Sequence, residues 1–166
     1  MNLTPPPAAT APNLQALREA YRRDRAALVA TLFAPLPTVR GIHGLLRKFT
    51  RLADRLLQTL WKASALPPGL ALLAVGGFGR GQLLPYSDVD VLVLLPDSSH
   101  AALGTDTRAR VEDFIRNCWD AGLEIGSSVR SVQECLEEAA GDVTVQTALL
   151  EARRICGSAA LFAHFE

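Results

Sequence analysis

Two aspartates, Asp88 and Asp90, are the residues whose type and spacing most directly indicate chemistry. They open the apolar run DVDVLVLL at residues 88–95, which is typical of a buried strand. Successive side chains of a strand alternate between its faces, so both carboxylates should project to one side, with Val89 directed into the core. Two like charges held this close are costly unless a cation lies between them. The pair therefore predicts a site for a divalent metal ion that carries a nucleotide phosphate.

A glycine-rich turn precedes the aspartates. The run LALLAV at residues 70–75 predicts a strand, and Gly76 and Gly77 follow it directly. Glycines at the end of a strand allow backbone N–H groups to approach a triphosphate without obstruction by a side chain. Two other phosphate-binding loops are excluded, because a P-loop needs Gly-Lys-Ser/Thr where this chain has GQL at residues 81–83, and the dinucleotide fingerprint needs glycine in place of Gln82.

This arrangement resembles the signature of the DNA polymerase β nucleotidyltransferase superfamily: a hydrophobic residue, Gly-Gly or Gly-Ser, a spacer, and Asp-x-Asp between hydrophobic residues. The fuller run GGFGRGQLLPYSD at residues 76–88 is similar to the uridylyltransferases that modify the PII nitrogen-signalling protein. The similarity continues through WDAGLEIGSSVR at residues 119–130 and DVTVQT at residues 142–147. It departs from the family at Ser127, where histidine is expected in many relatives.

The resemblance implies that Asp88 and Asp90 are catalytic and bind one or two Mg²⁺ ions. It also implies that backbone groups of two glycines contact the triphosphate, with two side chains assisting at phosphate oxygens. This nucleotide-binding set is Gly76, Gly77, Arg80 and Ser87. A structural ion pair is the alternative role of Arg80.

Members of the superfamily usually have a third carboxylate on a neighbouring strand, which binds the second metal ion or acts as a base. Glu124 is the candidate for this catalytic group because it lies on the third predicted strand, over residues 123–130. Asp120 and Asp142 are the alternatives. The competing interpretation of Glu124 is an exposed strand carboxylate with no chemical role.

The function that the resemblance implies is magnesium-dependent transfer of UMP from UTP to a tyrosine of the PII protein, with release of pyrophosphate. Two alternatives stay open: adenylyl transfer to another protein or to a small molecule, and a regulatory module that binds nucleotide without turnover. The longer relatives add a phosphohydrolase domain and glutamine-sensing domains. These 166 residues are therefore expected to be a fragment with neither UMP removal nor glutamine control.

The composition is that of a soluble globular protein, with 49% apolar and 20% charged residues. Lys and Arg balance Asp and Glu at 17 each, so no net field favours nucleic acid or a membrane as a partner. Three widely spaced cysteines form no metal-binding or disulfide pattern and suit the reducing cytoplasm. No apolar run approaches the roughly 20 residues of a membrane span.

The predicted fold class is α+β, with a small mixed β-sheet flanked by helices, as in polymerase β-type nucleotidyltransferases, and an N-terminal helical segment. The first two strands are only about a dozen residues apart, which is too short for a crossover helix of normal size and argues against a doubly wound parallel sheet. The helices are predicted over residues 13–33, 39–64, 106–120, 131–140 and 143–155, with another starting at Ser158. The predicted organisation is a disordered arm at residues 1–12, a helical segment at 13–66 and a nucleotidyltransferase domain at 67–166.

Overall fold

The structure, a computed structural model, describes residues 13–33, 38–96 and 104–166. The arm predicted at residues 1–12 therefore lies outside the described residues. The helices are α1 (Leu14–Ala30), α2 (Val39–Ala63), α3 (Gly76–Gly79), α4 (Thr105–Asp120), α5 (Val132–Gly141), α6 (Val143–Leu150) and α7 (Ala159–Phe165), with a 3-10 turn at Thr31–Phe33. The strands are β1 (Ala71–Ala74), β2 (Val89–Leu95), β3 (Ile125–Ser131) and β4 (Arg153–Gly157).

The four strands form one mixed sheet in the order β3-β2-β1-β4. Strand β1 is antiparallel to both of its neighbours, whereas β2 and β3 are parallel. The predicted α+β class with a small mixed sheet is confirmed. In the parallel pair, Val89 lies opposite Ile125 and Asp90 opposite Gly126, so the register brings the aspartate segment beside the start of β3.

Apolar side chains cover both faces of the sheet because β2 alternates between them. Val89, Val91 and Val93 face a core shared with α1, α2 and α4. Leu92 and Leu94 face a smaller core that includes residues of α5 and α7. Helix α2 contributes most to the larger core through residues spaced on one face: Leu45, Phe49, Leu52, Ala53, Leu56, Leu57 and Leu60.

Four predicted helix starts are confirmed by their capping side chains. Asn13 caps α1 by accepting a hydrogen bond from the Ala16 N–H. Ser131 caps α5 in a full capping box, and Asp142 and Ser158 cap α6 and α7. Each cap satisfies backbone donors that the first turn of a helix leaves without a partner.

The helix predicted over residues 143–155 is wrong in its second half. Helix α6 ends at Leu150, and Arg153–Gly157 forms the edge strand β4. This strand is defined by pairing with distant β1, in a register that shifts between Leu72 and Leu73. The sequence of β4 lacks the alternation of apolar and polar residues that is typical of a strand, because it begins with two arginines and Ile155 is its only buried residue.

The three cysteines are free thiols, as predicted: Cys118 and Cys135 are buried and Cys156 is half-buried. Burial raises the pKa of Cys118 to about 12 and that of Cys135 to about 11, so these thiols behave as packing groups. Among the helices that the structure describes, none has the length and apolarity needed to cross a bilayer.

Candidate active site

The aspartate pair stands at the start of β2. Asp90 lies within the strand, whereas Asp88 immediately precedes its first residue. Val89 between them is buried and both aspartates are exposed, which is the alternation predicted for the pair. Desolvation by neighbouring atoms raises the pKa of Asp90 above its ordinary value, and the charge of Asp88 raises it further. The two carboxylates therefore form an unfavourable pair that a cation would stabilise.

The glycine-rich turn folds as the single helical turn α3, beside Asp90. Gly76 has a φ of +56°, a left-handed conformation that glycine adopts without strain. The Val75 N–H donates to the Asp90 carbonyl at 3.1 Å. A methyl group on Gly76 would lie 3.9 Å from Oδ2 of Asp90. The start of α3 at Gly76 therefore lies close to the Asp90 carboxylate, and the first N–H groups of α3, those of Gly76 and Gly77, have no acceptor within the helix.

Gly126 on β3 makes room for the other oxygen of the same carboxylate. A methyl group on Gly126 would lie 2.5 Å from Oδ1 of Asp90, well inside van der Waals contact. Glycine is thus required for the carboxylate to occupy its position. The Asp90 side chain is held between Gly76 at the start of α3 and Gly126 on the parallel neighbouring strand.

Arg80, immediately after α3, forms an ion pair with Glu151. Its Nη2 lies 3.6 Å from the position that a methyl group on Gly77 would occupy. The guanidinium therefore adjoins the glycine turn while Glu151 anchors it. Ser87 is exposed, and its hydroxyl donates to the Leu84 carbonyl at 3.2 Å in the turn that leads to β2.

Helix α1 holds the loop between α3 and β2 through Arg25. The Nη2 of Arg25 donates to the Pro85 carbonyl at 2.6 Å. The same guanidinium lies over the Tyr86 ring, 5.7 Å from its centroid, in a cation–π contact. Arg25 is half-buried, and these two contacts position the loop that ends at Asp88.

Helix α2 holds the same loop through a buried hydroxyl. The Leu83 N–H donates to Oγ1 of Thr50 at 3.2 Å, and that hydroxyl in turn donates to the Leu46 carbonyl. Thr50 is one of only two buried polar or charged residues in the described part of the chain. Both N-terminal helices therefore hold the loop that precedes the aspartate pair.

Glu124 lies one residue before β3, and its carbonyl accepts the Val89 N–H at 2.8 Å. Together with Tyr21, Arg25 and Ser87 it lines a small cavity of about 40 Å³. Burial raises the pKa of the Tyr21 phenol, Arg25 opposes this shift, and the charge of Glu124 adds to it. The structure thus places Glu124 beside the aspartate segment, with its charge acting on Tyr21.

The two alternative carboxylates differ in their surroundings. Asp142 is occupied as the cap of α6, where it accepts hydrogen bonds from the backbone of Thr144 and Val145, and these bonds lower its pKa. Asp120 is exposed at the end of α4. The role of Glu124 as third carboxylate stays a prediction.

The donor set fits magnesium bound together with a nucleotide. Within residues 13–33, 38–96 and 104–166, no three His, Cys, Asp or Glu side chains are grouped so that they could hold a metal ion. The donor set at the start of β2 consists of the two carboxylates of Asp88 and Asp90. Proteins usually bind Mg²⁺ through one or two carboxylates, and water and substrate phosphates complete the octahedron.

The sequence patterns do not identify two residues of this site, Gly126 and Arg25. A glycine inside a predicted strand often marks a close approach of another group, so Gly126 carried a usable signal. Arg25 and Pro85 are 60 residues apart in the chain, so no local sequence pattern predicts their contact.

Comparison with known proteins places this geometry in a family. The nucleotidyltransferase domain family matches residues 56–140, just over half of the chain. The bifunctional uridylyltransferase/uridylyl-removing enzyme of Burkholderia orbicola (strain AU 1054) is 58% identical over 125 residues, which are 75% of this chain and 14% of that protein. The protein of the same name from Burkholderia mallei (strain SAVP1) is 55% identical over 136 residues, 82% of this chain and 15% of that protein.

The chain thus spans 14 to 15% of the length of these curated relatives. The matched region includes the glycine turn, both aspartates and the start of β3, which together form the site described above. The chain belongs to the nucleotidyltransferase domain family.

Proposed function

We propose that this chain transfers UMP from UTP to a tyrosine hydroxyl of the PII protein and releases pyrophosphate. The observation that carries the proposal is the Asp90 carboxylate, held between Gly76 and Gly126 with the Asp88 charge beside it. The uridylyl specificity is supported by the names of relatives that are 55 to 58% identical. Acceptance of PII follows from the resemblance of residues 76–88 to the uridylyltransferases that modify it.

In the proposed reaction the tyrosine oxygen attacks the α-phosphorus, the bond from that phosphorus to the β-phosphate oxygen breaks, and pyrophosphate leaves. Bound Mg²⁺ would neutralise charge on the phosphates. Asp88 and Asp90 would hold the ion, and Glu124 would take the proton of the hydroxyl. The remaining groups orient the triphosphate by donating hydrogen bonds to its oxygens: the N–H groups of Gly76 and Gly77, the guanidinium of Arg80 and the hydroxyl of Ser87.

We also propose that residues 67–166 carry the transferase site and that residues 13–66 support it. The supporting role of residues 13–66 rests on the core that α1 and α2 share with the sheet. The contacts of Arg25 and Thr50 with the loop before Asp88 point the same way.

Calorimetric titration of UTP and of ATP into the protein, with and without Mg²⁺, tests the nucleotide. We expect magnesium-dependent binding of UTP and weaker binding of ATP. Pyrophosphate release is then measured with PII present. A preference for ATP would support adenylyl transfer instead, and UTP binding without pyrophosphate release would support a regulatory module.

Gly126→Ala is expected to impair transfer more than it destabilises the fold. The added methyl group would press against Oδ1 of Asp90, which is the end of a side chain and can move away. The carboxylate then leaves its position beside Gly76, and we expect a loss of roughly tenfold to a hundredfold in kcat/KM. Steady-state kinetics and thermal unfolding of the same preparation measure the two effects.

Gly141→Ala is the matched control, because a methyl group there meets no atom within 4 Å. Its kinetics should equal those of the unmodified protein. If Gly126→Ala also retained full transfer activity, the carboxylate position would not matter for the reaction.

A further inference from the structure

The balanced net charge conceals a separation of charge along the chain. Residues 1–64 contain ten Lys and Arg against three Asp and Glu, whereas residues 65–166 contain seven against fourteen. The helices α1 and α2 therefore carry a net charge of +7 and the rest of the chain −7. The basic side chains of these helices are exposed apart from the half-buried Arg25: Arg18, Arg22, Arg23, Arg40, Arg47, Lys48, Arg51, Arg55 and Lys62.

One groove on this basic side reaches the loop that leads to the aspartate pair. It has a volume of about 740 Å³ and combines one face of α1 with a single aromatic residue of the loop before β2. Its lining residues are Arg22, Arg23, Arg25, Ala26, Val29, Ala30 and Tyr86. Tyr86 is 73% exposed and stands two residues before Asp88. A ligand in this groove would thus lie against the same loop that carries the aspartate pair.

The groove has the composition of a protein-binding surface. The guanidinium groups of three arginines can each donate two hydrogen bonds to one carboxylate. The small side chains of Ala26, Val29 and Ala30 allow a partner to approach the helix closely. Arginine and tyrosine are enriched where proteins meet. Among the described residues, only Arg23 of the three arginines forms an ion pair, with neighbouring Asp24. The groove therefore presents cationic groups that an anionic partner can engage.

We propose that this groove, defined by Arg22, Arg23, Arg25, Val29 and Tyr86, is the docking surface for an acidic segment of the acceptor protein. The proposal rests on the proposed function, since it assumes that the acceptor is a protein. A nucleic acid is disfavoured because the groove has one aromatic side chain where single-strand binding uses several stacking platforms.

Charge reversal of two groove residues that do not touch the loop tests this surface. The variant Arg22→Glu with Arg23→Glu is compared with Arg108→Glu with Arg116→Glu on α4, which changes the net charge equally. Binding of fluorescently labelled PII protein is measured by anisotropy in the absence of nucleotide, at about 50 and 200 mM salt. UTP affinity is measured separately for each protein.

We expect the groove variant to bind PII roughly tenfold or more weakly, with a shallower salt dependence, and the α4 variant to bind normally. UTP affinity should be unchanged in both. If the groove variant is misfolded by circular dichroism, Arg22→Gln with Arg23→Gln replaces it, and roughly half the effect in free energy is expected.

Equal weakening in both variants, or none in the groove variant, would overturn the docking surface. Binding of a single-stranded oligonucleotide of about 20 nucleotides that is lost in the groove variant, without PII binding, would assign the groove to nucleic acid instead. Failure of the unmodified protein to bind PII would also overturn it. Magnesium-dependent UTP binding in that same protein would show that nucleotide recognition in the proposed function survives.

Discussion

Replacement of both aspartates, Asp88→Asn with Asp90→Asn, is expected to abolish nucleotidyl transfer while leaving the fold intact. The amides cannot hold a divalent cation against the triphosphate, so several kcal/mol of charge stabilisation in the transition state disappears. The expected loss in kcat is about 1,000-fold or more. Pyrophosphate release with PII and UTP measures it, and calorimetry should show magnesium-dependent UTP binding lost as well.

The same variant should be more stable than the unmodified protein when metal is absent. The pKa of Asp90 is raised in the folded state, first by desolvation and then by the charge of Asp88. The folded protein therefore binds the proton of the Asp90 carboxyl group more tightly than the unfolded chain does. At pH values above the pKa of Asp90 in the folded state, the ionised carboxylate lowers the free energy of unfolding. This destabilisation by Asp90 decreases as the pH falls through that pKa, because the carboxylate becomes protonated. The advantage of the variant in melting temperature should accordingly be present near pH 7 and shrink on acidification.

The matched control is Asp106→Asn with Asp113→Asn, two exposed carboxylates on α4 that form ion pairs with Arg110 and Arg116. This control also removes two negative charges, but at a distance from the glycine turn, and it should retain the transfer activity. Transfer by a folded Asp88→Asn, Asp90→Asn protein would contradict the assignment of the site.

Gly79→Ala is expected to destabilise the fold by about 3 kcal/mol. A methyl group on Gly79 would lie 2.1 Å from the carbonyl oxygen of Glu151 and 3.1 Å from that of Ala74. Both are backbone atoms, at the end of α6 and the end of β1, so neither yields without moving an element. Denaturant unfolding followed by circular dichroism measures the change.

Gly77→Ala in the same helical turn is the comparison, because its methyl group meets only Nη2 of Arg80, the end of a side chain, at an ordinary contact distance of 3.6 Å. Its free energy of unfolding should stay within about 1 kcal/mol of the unmodified protein. Equal stability of the two variants would show that the backbone around Gly79 can relax.

Features that depend on neighbouring residues in the chain could be predicted from the sequence. The strand alternation around Val89 and the capping box from Ser131 to Glu134 are local, and both are found in the structure. The glycine turn was located correctly because Gly76 and Gly77 follow an apolar strand directly.

Features that depend on distant partners could not be predicted. Strand β4 exists because Arg153–Gly157 pairs with β1, some eighty residues earlier, while the local pattern favoured continuation of a helix. Arg25 belongs to a charged helix segment whose function becomes visible only when Pro85 and Tyr86 are folded against it. The balanced total charge likewise concealed the basic groove, since composition does not record where charges lie.

The position of the two aspartates relative to the sheet has a consequence for their mobility. Asp90 is confined by its surroundings: its carbonyl accepts the Val75 N–H, and its carboxylate lies between Gly76 and Gly126. Asp88 precedes the ladder and lacks this confinement. In the proposed metal site the pair would therefore combine one ligand built into the strand with one ligand outside it. In the proposed reaction Asp90 would fix where a cation sits against the glycine turn, and Asp88 would follow the shift in charge as pyrophosphate departs.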